Sequence, residues 1–244
     1  MVNFPFDRLI RLSQIERVHF WFIGRRQLID RALRKYSADK VRLILEVGCG
    51  TGLMVENLTL QGHNLIGLDR RPEGLRTIHQ KLPRTPLLQG DAASLPMKVN
   101  SCDAVMMLDV LEHVNDRAAL AEAYRVVTSG GLVLIMVPAL PWLWSFRDYS
   151  AGHLRRYGRR AFARLLTDSR FTVLHMTSYQ FFLSPLLMIT RLLGRHGPAL
   201  RDFEERPGTF TNAVLKWVTQ MELKLGSFIT WPWGSSLLAV CQKR

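Results

Sequence analysis

Cysteine is scarce in this chain: three residues, Cys49, Cys102 and Cys241, odd in number, far apart, and in no CxxC pair or Cys/His cluster. That spacing excludes a zinc-finger type of site and a disulfide framework, fits a reducing cytoplasm, and leads to the expectation that no metal is bound. Acidic residues are also in deficit, 20 Asp and Glu against 33 Lys and Arg, for a formal net charge of +13. Such an excess suits contact with phosphate, anionic lipid or nucleic acid and carries no information about fold. No apolar run is long and clean enough to span a bilayer. The uncharged window from Phe171 to Thr190 alternates with period two in its first half and is interrupted by Pro185 in its second. The first residues mix charge early (Asp7, Arg8, Arg11), so no signal peptide is expected. Repeats and low-complexity tracts are missing too. With 48% apolar residues, a sizeable core is expected instead.

Against these absences stands a regular alternation. Residues 5 to 36 predict helix, with the aromatic cluster Phe20, Trp21 and Phe22 set among arginines. Strand-length apolar runs follow at 42–47, 64–68, 86–89, 102–108, 132–137 and 171–176, with helix-compatible stretches at 52–61, 72–82, 116–128 and 159–168. The pattern predicts an α/β chain, a parallel sheet with right-handed crossovers and helices on both faces. A last run at 235–243 is strand-like. Four segments are therefore expected: an N-terminal helical extension (1–40), an α/β domain (41–178), a helical insertion (179–234) and a returning strand (235–244).

The first strand ends in EVGCGTG, with Gly48, Gly50 and Gly52 at alternate positions. No Lys and Ser or Thr follow the last glycine, which excludes a mononucleotide P-loop, and the spacing is a poor dinucleotide fingerprint. Glu46, two residues before the first glycine, would repel a pyrophosphate but would favour an amino group or a sulfonium. The loop thus suits a nucleoside with a cationic tail. Asp69, closing the next strand, is placed to accept both ribose hydroxyls, and Asp91, closing the third, to take an adenine amino hydrogen. Leu108-Asp109 ends the fourth run on the same carboxyl edge, where ligands of open α/β sheets bind.

Taken in order, EVGCGTG, LDRRPEGL, GDAASLP and CDAVMMLDVLEHV resemble the class I S-adenosylmethionine-dependent methyltransferases, in the bacterial branch with a generic methyltransferase domain. The resemblance covers about residues 41 to 178 and the final strand. It implies a Rossmann-like, doubly wound, seven-stranded sheet whose last strand is antiparallel, with S-adenosyl-L-methionine as cofactor. It also implies Glu46 and the loop Gly48, Cys49, Gly50, Thr51 and Gly52 around the methionine part. Asp69 would take the ribose, Asp91 and Ala92 the adenine, and Leu108 the floor at the fourth strand. Arg70 and Arg71 depart from the usual apolar residue at adenine, although a guanidinium plane stacks on a base.

Methyl transfer asks the protein to align a nucleophile and, where needed, to take a proton. His113 in LEHV and His153 in the segment after the fifth strand are the candidate bases. His153, Arg155, Arg156 and Tyr157 form a His-x-Arg-Arg-Tyr element that resembles the same branch and is expected to face the acceptor. Seven arginines between 147 and 170 outnumber Asp148 and Asp168, which favours recognition of an anion. In the insertion, Phe181, Phe182, Leu186, Ile189 and Leu193 recur at helical spacing with Arg191 and Arg195. Lys216, Trp217, Met221, Lys224 and Leu225 mark a second amphipathic helix stopped near Gly226. The expected enzyme acts on a small, anionic, lipid- or glycosyl-linked acceptor, in the cytoplasm with peripheral contact at the inner face of the membrane. Nucleic acid is the weaker candidate partner: the fourth strand lacks the Asn/Asp-Pro-Pro-aromatic run used on exocyclic amines, and no Pro-Cys nucleophile is present. A catalytically silent binding protein of the same fold is the remaining alternative.

Overall fold

The computed structural model describes residues 13–37, 41–193 and 206–244. Arg195 and the first twelve residues, on which part of the expected helices falls, lie outside the described residues. Seven strands form one sheet: β1 (Ile44–Val47), β2 (Leu65–Asp69), β3 (Leu87–Gln89), β4 (Cys102–Leu108), β5 (Val127–Pro138), β6 (Phe171–Tyr179) and β7 (Ser236–Lys243). Their order is β3-β2-β1-β4-β5-β7-β6. β1 to β5 pair in parallel, and β7 runs antiparallel between β5 and β6. The α/β, Rossmann-like expectation with one reversed strand holds.

The helices are α1 (Phe20–Ser37), α2 (Leu53–Leu60), α3 (Pro72–Lys81), α4 (Asp116–Val126), α5 (Phe146–Ala151), α6 (Arg159–Asp168), α7 (Ser184–Leu193) and α8 (Thr209–Leu225). One face of the sheet packs against α4 and α6 through Leu120, Ala123, Phe162 and Leu166. The other packs against α1, α2 and α8 through Ile29, Leu33, Leu58 and Leu223. β4 and the second half of β5 are covered on both sides. Hence they read as continuous apolar runs rather than alternating ones.

Two boundaries differ from the sequence expectation. The helix expected to reach residue 128 ends at Val126, and β5 starts at Val127 instead of 132. β-branched Val127 and Thr128 then lie extended beside Cys102, where the register shifts. The long N-terminal helix is broken: residues 13–15 are helical, a turn follows at 16–18, and a fresh helix starts at Phe20, where His19 Nδ1 accepts the Trp21 N–H at 3.2 Å.

The N-terminal helix and the late insertion, far apart in sequence, form one layer. Gly24 of α1 lets α8 approach so closely that a Cβ there would strike Thr219 and the Tyr179 hydroxyl. The Tyr179 hydroxyl donates to Trp21 O at 2.7 Å, Arg31 Nη1 donates to Leu223 O at 2.6 Å, and Gln220 Nε2 donates to Gln27 Oε1 at 2.6 Å. Asn212 ties α8 to the start of α1, accepting from Phe20 N at 3.0 Å and donating to Val18 O at 2.9 Å. This layer roofs part of the carboxyl edge of the sheet. Among the described residues no helix is long and apolar enough to cross a membrane.

Candidate active site

A cavity of about 680 Å³ opens along the carboxyl edge of β1, β2 and β4 and continues under α7 and α8. At one end lies the glycine loop. Gly48, Gly50 and Gly52 all have positive φ (72°, 54° and 80°), a region that glycine enters without penalty. A Cβ on Gly48 would stand 2.6 Å from Val110 Cγ2. Asp69 fixes the loop, accepting from Gly50 N at 2.8 Å through one oxygen and from Arg71 N at 2.8 Å through the other. Each carboxylate oxygen retains further acceptor capacity toward the cavity.

Glu46 is buried, and its Oε2 has no hydrogen-bond partner. Burial pushes its carboxyl up to about 8; the Arg25 guanidinium opposes that rise, while Asp69 and Glu16 add to it. Such an orphaned acceptor is matched by an amino group or another cation arriving with a ligand. Asp91 accepts from Ala93 N at 2.8 Å and shapes the turn after β3, with Ala92 buried beside it. Ala92, Leu108 and Arg70 all line the cavity. Thr51 donates to Glu16 at 2.8 Å, so a residue of the N-terminal segment closes over the loop. Cys49 donates its N–H to Leu68 O at 3.0 Å and packs with Val55 and Ile78. It therefore props the loop, and burial keeps its thiol protonated.

The middle of the cavity carries the ionisable groups. β4 ends at Leu108, the backbone turns through Asp109 at φ 58°, and a 3-10 turn, Leu111–His113, delivers Glu112 and His113. Asp109 pairs with Arg25 of α1 at 2.9 Å. Across from it, α5 begins with a capping box in which Asp148 accepts from Ser145 N at 2.8 Å. The same carboxylate takes His153 Nδ1 at 2.9 Å and Arg156 Nε at 2.7 Å. Burial would raise Asp148, but His153 and Arg156 win and hold it below the usual carboxylate range. The His113 and His153 rings meet edge to face, centroids 4.9 Å apart. Beyond them the wall turns apolar, with Phe20, Leu183, Leu187 and Leu215, and with Arg147 and Arg191 at its flank.

Residues 45–135 match the family model described as a methyltransferase domain. The chain is 26% identical over 200 residues to a Mycobacterium tuberculosis protein named as a probable S-adenosylmethionine-dependent methyltransferase, covering 81% of this chain and 66% of that one. It is 32% identical to the demethylmenaquinone methyltransferase of Renibacterium salmoninarum, over 46% of this chain and 48% of the relative. The chain thus spans less than two thirds of the length of these curated relatives. In fold it is similar to a solved S-adenosylmethionine-dependent methyltransferase of Thermotoga maritima, with TM-score 0.64 and 16% identity over 98% of this chain and 96% of the other. Over residues 45–135 the chain is similar in sequence to methyltransferase domains, and its fold is that of solved S-adenosylmethionine-dependent methyltransferases.

The expected cofactor residues gather at one end of a single cavity, and His113 and His153 line it further along. The His-x-Arg-Arg-Tyr element, expected to face the acceptor, does not line the cavity as a unit. Arg155 turns away to Asp116 at 2.7 Å, and Tyr157 is buried, donating to Leu111 O at 3.1 Å and Asp116 Oδ2 at 3.1 Å. Arg156 borders the cavity but is spent on Asp148 and on Ala139 O at 2.7 Å. The surplus of arginine over acid near residue 160 is partly an artefact of counting only nearby acids. Asp116 is one partner, and Arg159 is held by the carbonyls of Met176 (2.6 Å) and Trp231 (3.3 Å). Sequence reasoning missed Glu16, Arg25, Asp109 as an ion-pair partner, and Glu112. Only the last carried a signal, an acid beside His113 at the end of a strand on the ligand edge.

Proposed function

We propose that this chain transfers the methyl group of S-adenosylmethionine to a small, anionic, lipid-linked acceptor. The observation that carries the reading is the continuity of one cavity from the glycine loop, past His113 and His153, into an apolar end beneath α7 and α8. Bound there, S-adenosylmethionine supplies an electrophilic methyl group on a sulfonium. The chain's own residues do the rest. Glu46 offers an unpaired buried oxygen to the cationic tail, Asp69 offers the ribose its remaining lone pairs, and Ala92 with Leu108 shapes the base pocket. His113 and His153 meet the head group that is methylated, with His153 kept in orientation by Asp148. Arg147 and Arg191 flank the head group and suit its negative charge, and the Leu183, Leu187 and Leu215 wall suits an alkyl or prenyl tail. The quinone-directed activity in the name of one relative concerns an acceptor of the same amphiphilic kind.

The test uses cofactor carrying a labelled methyl group, incubated with the chain and with either the organic-phase or the aqueous-phase extract of bacterial cells. Label entering an organic-phase product is expected. Label confined to aqueous products would overturn the lipid-linked part, and no cofactor binding by calorimetry would overturn the whole.

A peripheral membrane position fits the same reading. Along α8, Phe210, Val214, Trp217, Met221 and Leu225 form an exposed stripe, and Leu186 and Ile189 of α7 are exposed beside the cavity. Lys216 and Lys224 are exposed on the same helix. An apolar stripe with lysine borders is the composition of a helix lying in the lipid interface.

A further inference from the structure

We propose that Glu112, His113 and His153 bind one divalent transition-metal ion at the acceptor end of the cavity. Glu112 is fully buried, and neither of its carboxylate oxygens has a hydrogen-bond partner. Two orphaned acceptors on one side chain, at the wall of a cavity, call for a partner that arrives from outside. The cations nearby are committed elsewhere, Arg25 to Asp109 and Arg156 to Asp148. Asp109 adds charge of the same sign as Glu112, so an ion there would answer two carboxylates.

The geometry suits ligation. One oxygen of Glu112 and one ring nitrogen of each histidine lie within 4.8 Å of one another, and His153 Nε2 stands 4.0 Å from Glu112 Oε1. Three ligands at about 2.0–2.2 Å around a common ion stand about 3.3–3.8 Å apart. Side-chain shifts of up to about 1 Å therefore close the site. The histidines are already oriented from behind. His153 Nδ1 donates to Asp148 Oδ1 at 2.9 Å, and His113 Nδ1 faces Gly152 O at 3.3 Å. With Nδ1 donating, Nε2 carries the lone pair, the arrangement metal-bound imidazoles adopt. Two imidazoles and one carboxylate favour zinc, manganese or iron(II) over magnesium or calcium. Three protein ligands leave positions open, and all three residues line the cavity. An acceptor oxygen taking one of them would be polarised and its proton made more acidic. The histidines would then act as ligands, and the released proton would go to solvent. Methyl transfer at this ion rests on the proposed function; the binding of the ion does not.

The chelator-stripped full chain is titrated with Mn²⁺, followed by the resonance of the free ion, and with Zn²⁺ by calorimetry. One saturable equivalent is expected. Glu112→Gln, His113→Gln and His153→Ala should each weaken it about ten- to a hundredfold or more, in variants whose circular dichroism and melting match the parent. Both histidines are partly exposed, so their variants are less able to disturb folding than that of fully buried Glu112. No saturable binding of either ion to the parent, or parental affinity in a folded variant, would overturn the proposal. Cofactor affinity measured on the same samples separates the two readings. Cofactor binding without metal binding sinks only this one, and metal binding without cofactor binding sinks only the methyltransferase assignment of the cavity.

Discussion

Glu46 and Arg156 show how differently two buried charges serve this chain. Glu46 is buried without a donor, and its folded-state carboxyl sits near 8 against an ordinary value of 4.5. Between those values the folded state holds more protons than the unfolded one, so this residue's contribution to stability is full below about pH 4.5 and is lost as pH rises toward 8. A cationic ligand reverses the preference by favouring the ionised form. Cofactor binding is therefore expected to release a proton near neutrality and to tighten as pH rises from about 6 to 8. Calorimetry in two buffers of different ionisation heat measures this release directly. Glu46→Gln should abolish the release, and an unchanged proton count in that variant would place the titrating group elsewhere. Arg156 is the opposite case, a buried cation whose work is to hold Asp148. Arg156→Ala removes the permanent cation from the buried Asp148 carboxylate, leaving it only His153 and Ser145, and should cost about 3–5 kcal/mol. Arg155→Ala, removing a half-exposed pair, should cost under about 1 kcal/mol. Equal melting temperatures for the two variants would contradict the assignment.

At the level of elements, the glycine loop is held between α3 and Val110 as much as by its own turns. A Cβ on Gly74, at the start of α3, would run into the carbonyl oxygen of Gly50. Backbone cannot yield as a side chain can, so Gly74→Ala should push α3 off the loop, at about 1–3 kcal/mol, and weaken cofactor binding. Unchanged cofactor affinity in this variant would mean that the loop does not need that contact. This tight seat was not visible in the sequence, where Gly74 looks like an ordinary helix residue. The strands were legible because central strands buried on both faces leave unbroken apolar runs. The carboxyl-edge acids were legible because each closes such a run. The start of β5 was not, since Thr128, Gly130 and Gly131 carry no apolar signal. The Glu112, His113 and His153 group was hidden for a different reason. Forty residues separate its members, and the capping box at Ser145 that swings His153 back over the turn after β4 is a three-dimensional event. Arg155 and Tyr157 were placed by adjacency to His153, although Asp116 and the Leu111 carbonyl, distant in sequence, draw them away from the cavity.

Across the whole molecule the charge and the apolar surface fall into one question, whether α8 meets a membrane. Its inner face buries Leu215, Thr219, Glu222 and Leu223 against α1 and the end of β6, while Phe210 (81% exposed), Trp217 (65%) and Phe228 just beyond (88%) face outward. Large aromatics so exposed along one line are unusual on a chain that meets only water. Arg191, expected from the sequence to carry the membrane charge, instead donates to Leu143 O at 3.2 Å beside the cavity. Lys216 and Lys224 are the cations to test, supported by a net charge of +13. Mixed with anionic vesicles at low salt, the chain should sediment with the lipid and return to the supernatant as salt screens the attraction. Trp217→Ser should weaken this binding about tenfold or more, from the loss of one buried aromatic at about 1.5–3 kcal/mol, while melting stays within the small range of exposed substitutions. Replacing Lys216 and Lys224 together should reduce the salt dependence and leave affinity for neutral vesicles unchanged. A parent chain that stays in the supernatant with anionic vesicles at low salt would remove the membrane from the picture. The exposed stripe would then have to meet another protein surface, and the cavity mouth beside Leu186 would have to receive its acceptor from water.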